Sequence, residues 1–126
     1  MIIAIAVAVA GFAGAVSRYG VGLAMPAYDD SAFPWATLCV NLAGSLLLGL
    51  LIGLAARRNL PSWFKEAAGT GFLGAFTTFS AFNGQLWVLW KHHAYGAAIA
   101  YALVSGIGGW LIAASGVAAG SGRRSA

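Results

Sequence analysis

Long uncharged apolar stretches, separated by short clusters of charge, constrain this chain more than any other feature. Residues 2–16 are apolar without interruption, while charge gathers at Asp29-Asp30, Arg57-Arg58, Lys65-Glu66 and Arg123-Arg124. Only 8% of the 126 residues are charged and 60% are hydrophobic, whereas a soluble domain carries about 25% charge. This is the layout of membrane spans joined by short loops. The net charge of +4 does not point to nucleic acid. The basic residues punctuate apolar spans and form no patch on a polar surface.

The pattern predicts an all-α integral membrane protein, a single domain over residues 1–126 with four spans at about 2–25, 35–56, 65–90 and 94–117. The first run could be read as a signal peptide. It lacks a basic start, no Lys or Arg precedes Arg18, and three more spans follow, so it is expected to stay in the membrane. Pro34 suits a helix start, where its missing N–H is harmless. At 1.5 Å per residue the second span covers roughly 33 Å, enough for the hydrocarbon core. Trp35, Trp63, Trp87, Trp90 and Tyr95 mark span ends, as half-polar rings favour the interface. Arg57, Arg58, Lys65, Arg123 and Arg124 share one side, against Arg18 and Lys91 on the other. That bias predicts cytoplasmic termini, and the chain is expected to be a multi-pass protein of the cell inner (plasma) membrane. The tail, 118–126, is expected to fray.

The polar residues inside the spans carry the functional signal. Five polar side chains fall within residues 77–85: Thr77, Thr78, Ser80, Asn83 and Gln85. Hydroxyls in a membrane helix can bond back to their own carbonyls. Clustered beside Gly74, they suggest instead a helix broken at mid-membrane. Such a break survives only where the freed backbone is buried or lines a cavity. Freed carbonyls then suit cations, and freed N–H groups suit anions. Phe76, Phe79 and Phe82 recur every three residues, near one face. They read as core packing or as ring edges that hold a small anion. Asn41, inside the second span, is either an interhelical hydrogen bond or a donor facing a wet pathway. Tyr101 and Ser105 share a face of the fourth span and either bond neighbours or extend a polar track. Gly49 and Gly53 form a GxxxG and Ala10 and Gly14 are similarly spaced, which reads as close helix packing and names no oligomer. Cys39 reads as a buried packing thiol.

Absences narrow the choice. No Asp or Glu lies at the middle of any span, so the intramembrane carboxylate of a proton-coupled exporter is missing. His92 and His93 read as solvated loop residues, and no phosphate-binding loop or metal-ligand cluster stands in the sequence. Catalysis is poorly supported.

Four segments, taken together, resemble the CrcB, or Fluc, family of fluoride channels. Gly11-Phe12-Ala13-Gly14-Ala15-Val16-Ser17-Arg18-Tyr19 is similar to that family's first-helix signature. Trp35-Ala36-Thr37-Leu38-Cys39-Val40-Asn41-Leu42-Ala43-Gly44 resembles its Gly-Thr-Leu-x-Val-Asn-x-x-Gly pattern. Gly71-Phe72-Leu73-Gly74-Ala75-Phe76-Thr77-Thr78-Phe79-Ser80-Ala81-Phe82 resembles its broken-helix motif, and Tyr101 with Ser105 its fourth-helix track. The resemblance implies an antiparallel, dual-topology dimer with two narrow fluoride pores. It implies that ring edges of Phe79 and Phe82 line the pores, that Asn41 donates to the ion, and that Ser80, Tyr101 and Ser105 continue the track. Arg18 would be a vestibule or structural charge. Backbone carbonyls of Gly74 and Thr77 from both subunits would hold a structural sodium ion (Na+) at the dimer centre. The partners implied are fluoride, membrane lipid and a second copy of the chain. Gln85, Ala81 and the charge bias depart from the family pattern and leave open a heterodimer with a paralogue. A proton-coupled small-anion transporter and a non-conducting scaffold are the competing functions.

Overall fold

The computed structural model describes residues 1–27, 29 and 32–122. Tyr28, Asp30 and Ser31 of the first loop, and Arg123 and Arg124 of the charge bias, lie outside the described residues. Among the described residues all regular structure is helical. Helix α1 spans Ile2–Ala24 and α2 spans Trp35–Arg57, directly after Pro34. A helical stretch over 62–76, α3, begins after Pro61, whose fixed φ of −63° prepares the turn. Helix α4 spans Phe79–Lys91 and α5 spans Tyr95–Ser121. The tail is therefore helical as far as Ser121; Gly122, with φ +71°, ends α5 in the left-handed conformation open to glycine.

Three helices, α1, α2 and α5, are long and apolar enough to cross a membrane. The path through 62–91 is divided instead. Thr77 has ψ 160° and Thr78 has φ −150° and ψ 120°, so two extended residues separate α3 from α4. Neither piece reaches the ~20 residues of an uninterrupted span. The interruption also resets the helical phase. Phe76 is buried and stacks on Phe72, with ring centroids 5.7 Å apart, whereas Phe79 is 76% exposed. The three-residue repeat of Phe76, Phe79 and Phe82 is thus not one stripe, because the repeat crosses two non-helical residues.

Two seams hold the bundle together by close backbone approach. Along the α2–α5 seam, a methyl at Gly49 would collide with the Ala113 carbonyl, and one at Gly53 with the Val117 carbonyl. Gly116 and Gly120 return the contact against Leu46, Leu50 and Leu54. The GxxxG of α2 therefore meets a second GxxxG, Gly116 to Gly120, within the same chain. Along the α1–α3 seam, Gly14 lies on the Phe72 carbonyl and Gly71 on Val7 and Ala10. Such contacts replace the hydrophobic drive that lipid does not supply. A small apolar core of Leu38, Leu89, Ala98 and Tyr101, with Phe33, Phe82 and Leu86 against it, ties α2, α4 and α5. Cys39 is exposed on α2 and is not the packing thiol expected. It sits between Leu38 and Val40, both buried, so it shares neither of their faces.

Two regular distortions accompany this packing. Residues Ala67–Leu73 of α3 and Val104–Gly108 of α5 are π-helical. Runs of this kind are rare and gather at functional sites.

Candidate ion pathway

The interruption at 77–78 exists because two side chains take over its backbone bonding. Thr78 N–H donates to Asn41 Oδ1 at 2.8 Å, and Asn41 Nδ2 donates to the Thr78 carbonyl at 3.0 Å. One amide thus satisfies both polar groups of an extended residue. In a continuous helix the Thr78 N–H would have bonded the Gly74 carbonyl, which the diversion leaves without that partner. Arg18 Nη1 donates to the Thr77 carbonyl at 3.3 Å. Thr78 then caps α4: its Oγ1 accepts from Ala81 N–H at 3.2 Å and lies 3.3 Å from Ser80 Oγ. Gly44 lets α2 come this close, since a side chain there would strike the Thr77 methyl.

Two cavities flank the interruption. The first, of about 440 Å³, is lined by Asn41, Ser45, Gly74, Thr77, Phe79, Phe82 and Ser105, among others. Both π-helical runs contribute to its wall, Gly69 and Leu73 from one and Ser105 and Gly106 from the other. The second, of about 360 Å³, is lined by Arg18, Thr37, Ser80 and Ala81 among others. Thr78 lines both.

The residues singled out in the sequence therefore divide. Asn41, Gly74, Thr77, Phe79, Phe82 and Ser105 meet at the first cavity, and Arg18 and Ser80 at the second. Tyr101 lines neither. It is fully buried, packs on Phe82 with ring centroids 5.0 Å apart, and donates its hydroxyl to Gln85 Oε1 at 3.0 Å. Phe79 and Phe82 lie 6.0 Å apart with planes inclined by 26°. Thr78 was missed as a site residue, although a Thr directly ahead of a helix is an N-cap signal. Ser45 was also missed; its spacing of four from Asn41 was the available clue.

Among the described residues, hydroxyl, amide, aromatic and aliphatic groups line these cavities together with the Arg18 guanidinium, and no Asp or Glu does. Long apolar helices packed by small residues define a polytopic membrane protein, and two cavities with hydroxyl and amide groups set in mainly apolar walls flank its interrupted helix. Residues 5–117 match the family described as CrcB-like protein, Camphor Resistance (CrcB). The chain is 42% identical to the fluoride-specific ion channel FluC of Bordetella petrii over 115 residues, 90% of this chain and 88% of that protein. It is 42% identical to fluoride-specific ion channel FluC 1 of Bacillus cereus, covering 94% and 88%. A third relative, fluoride-specific ion channel FluC 2 of Geobacillus kaustophilus, is 40% identical, covering 91% and 90%. The chain belongs to the CrcB family of membrane proteins.

Proposed function

We propose that this chain forms a fluoride-selective channel that lowers cytoplasmic fluoride by passive efflux across the plasma membrane. The observation that carries the reading is the first cavity. It gathers an amide, hydroxyls and the rings of Phe79 and Phe82 with no carboxylate. A small hard anion needs donors to replace its water shell, and ring edges present a weak positive potential. A fixed carboxylate would repel it. Asn41 keeps one N–H free after bonding Thr78, because an amide nitrogen carries two. Phe79 is too exposed for one chain to enclose its ring. This supports an antiparallel dimer in which a second copy closes two pores, with the path through 62–91 as the fourth, mid-membrane-broken span.

Sodium fits the chain's own groups as half of a site. The Gly74 carbonyl has lost its helical partner, and the Thr77 carbonyl keeps a second lone pair beside the one that accepts from Arg18. Two such hard oxygens from each of two copies suit a structural Na+, which would hold the two interrupted helices together.

The test is fluoride release from liposomes holding this protein alone, with chloride as the control ion. Fast fluoride release without chloride leak is expected. The rate is expected to be flat between pH 6 and 8, roughly the range in which a proton-coupling group would titrate. A rate that follows the proton gradient would move the reading to an exchanger. Folded protein that conducts only beside a paralogue would make the working unit a heterodimer.

A further inference from the structure

Most hydroxyl groups in the helices have a partner close by in the chain; Thr70 donates to the Glu66 carboxylate at 2.8 Å and Ser80 lies 3.3 Å from Thr78 Oγ1. Four others bond a backbone carbonyl three or four residues earlier. Ser17 donates to Ala13 at 2.8 Å, Thr77 to Leu73 at 2.9 Å, Ser115 to Ile112 at 2.7 Å and Ser121 to Ala118 at 3.1 Å. That back-bond is always within reach of a helical Ser or Thr, and it removes the penalty of a bare hydroxyl in hydrocarbon.

Ser45 and Ser105 do otherwise. Neither makes a hydrogen bond among the described residues, and the Ser105 Oγ is buried with no partner. Both line the first cavity. Ser45 lies four residues after Asn41 on α2, so the two share a face. Ser105 belongs to the π-helical run of α5. Two hydroxyls without an internal bond, from two different helices, thus line one cavity.

We propose that Ser45 is a further hydrogen-bond donor of the ion pathway and acts together with Ser105 on the same dehydrated anion. The inference rests on the fluoride reading and deepens it. It extends the donor set one helical turn along α2 beyond Asn41, toward the Gly49 seam. The competing explanation is that Ser45 is merely small, because its Oγ lies 3.7 Å from where a methyl on Gly109 would stand. Alanine separates the two, since it keeps the small volume and removes only the oxygen.

The experiment compares fluoride release from liposomes for the wild-type chain, Ser45→Ala, Ser105→Ala, the double variant and Ser115→Ala. Each is checked for elution position and melting temperature. Ser45→Ala is expected to slow release about tenfold with unchanged melting, a barrier change of the size one lost donor produces. The double variant is expected to fall less than the product of the singles, because both donors serve one ion. Ser115→Ala, whose hydroxyl is spent on its own helix, is expected to conduct like wild type. Wild-type release by Ser45→Ala beside a conducting wild type overturns the proposal alone. Equal slowing by Ser115→Ala, or slowing that tracks a lower melting temperature, overturns it too. A wild-type chain that releases no fluoride brings down both the channel reading and the donor pair.

Discussion

The two halves of α2 meet their neighbours in opposite ways. Toward its C-terminal end, Gly49 and Gly53 press backbone on backbone against α5 and leave no room for a methyl. Toward its N-terminal end, Asn41 and Ser45 face a cavity of about 440 Å³. The first half gives rigidity by contact, and the second gives space lined with donors. One helix thus anchors the bundle and walls the cavity, so its tight half fixes how far its open half stands from Thr78.

Substitutions that fill the tight half should break this contrast most severely. Gly53→Leu drives a side chain into the Val117 carbonyl and Gly120. A destabilisation of about 3 kcal/mol or more is expected, read as loss of monodisperse protein after solubilisation. In the open half, Asn41→Ala leaves both polar groups of Thr78 unpaired. Each unpaired group costs about 1–3 kcal/mol, so melting should drop by several degrees and fluoride release by at least about tenfold. An Asn41→Ala protein with wild-type melting would show that the amide does not hold the interruption. The smallest effect is expected behind the cavity wall, where buried Tyr101 packs on Phe82. Tyr101→Phe removes one hydroxyl bond to Gln85 and keeps the ring against Phe82. A loss of about 1 kcal/mol is expected, visible in thermal unfolding and with little change in release rate.

Much of this contrast is legible in the chain. The long apolar runs specify α1, α2 and α5, and the polar cluster at 77–85 draws attention to the segment where α3 gives way to α4. What was hidden depends on backbone geometry. The Phe76 ring leaves the Phe79 and Phe82 face because Thr77 and Thr78 are extended, and no spacing rule anticipates a phase reset. Asn41 spends itself on Thr78, thirty-seven residues away in sequence, and the Gln85 carbonyl accepts from Tyr101 on another helix. Pairings this distant follow from the packing of helices, not from a motif within one. Cys39 was misread because an apolar run does not say which of its faces turns inward.

The π-helical runs have a consequence for the chain's tolerance to change in length. A π turn holds one residue more than an α turn, so each run acts as an insertion that the helix has absorbed. Removing one residue inside a run would let the helix return to its ordinary pitch with the later positions still on their present faces. Removing one residue just beyond a run has no such reserve, and every later position in that helix would turn by about 100°. Between 109 and 115 that rotation would take Gly116 and Gly120 off the seam with α2, whereas a deletion within 104–108 would leave the seam in phase. A single-codon deletion is thus absorbed inside the two π-helical runs and disruptive a turn later.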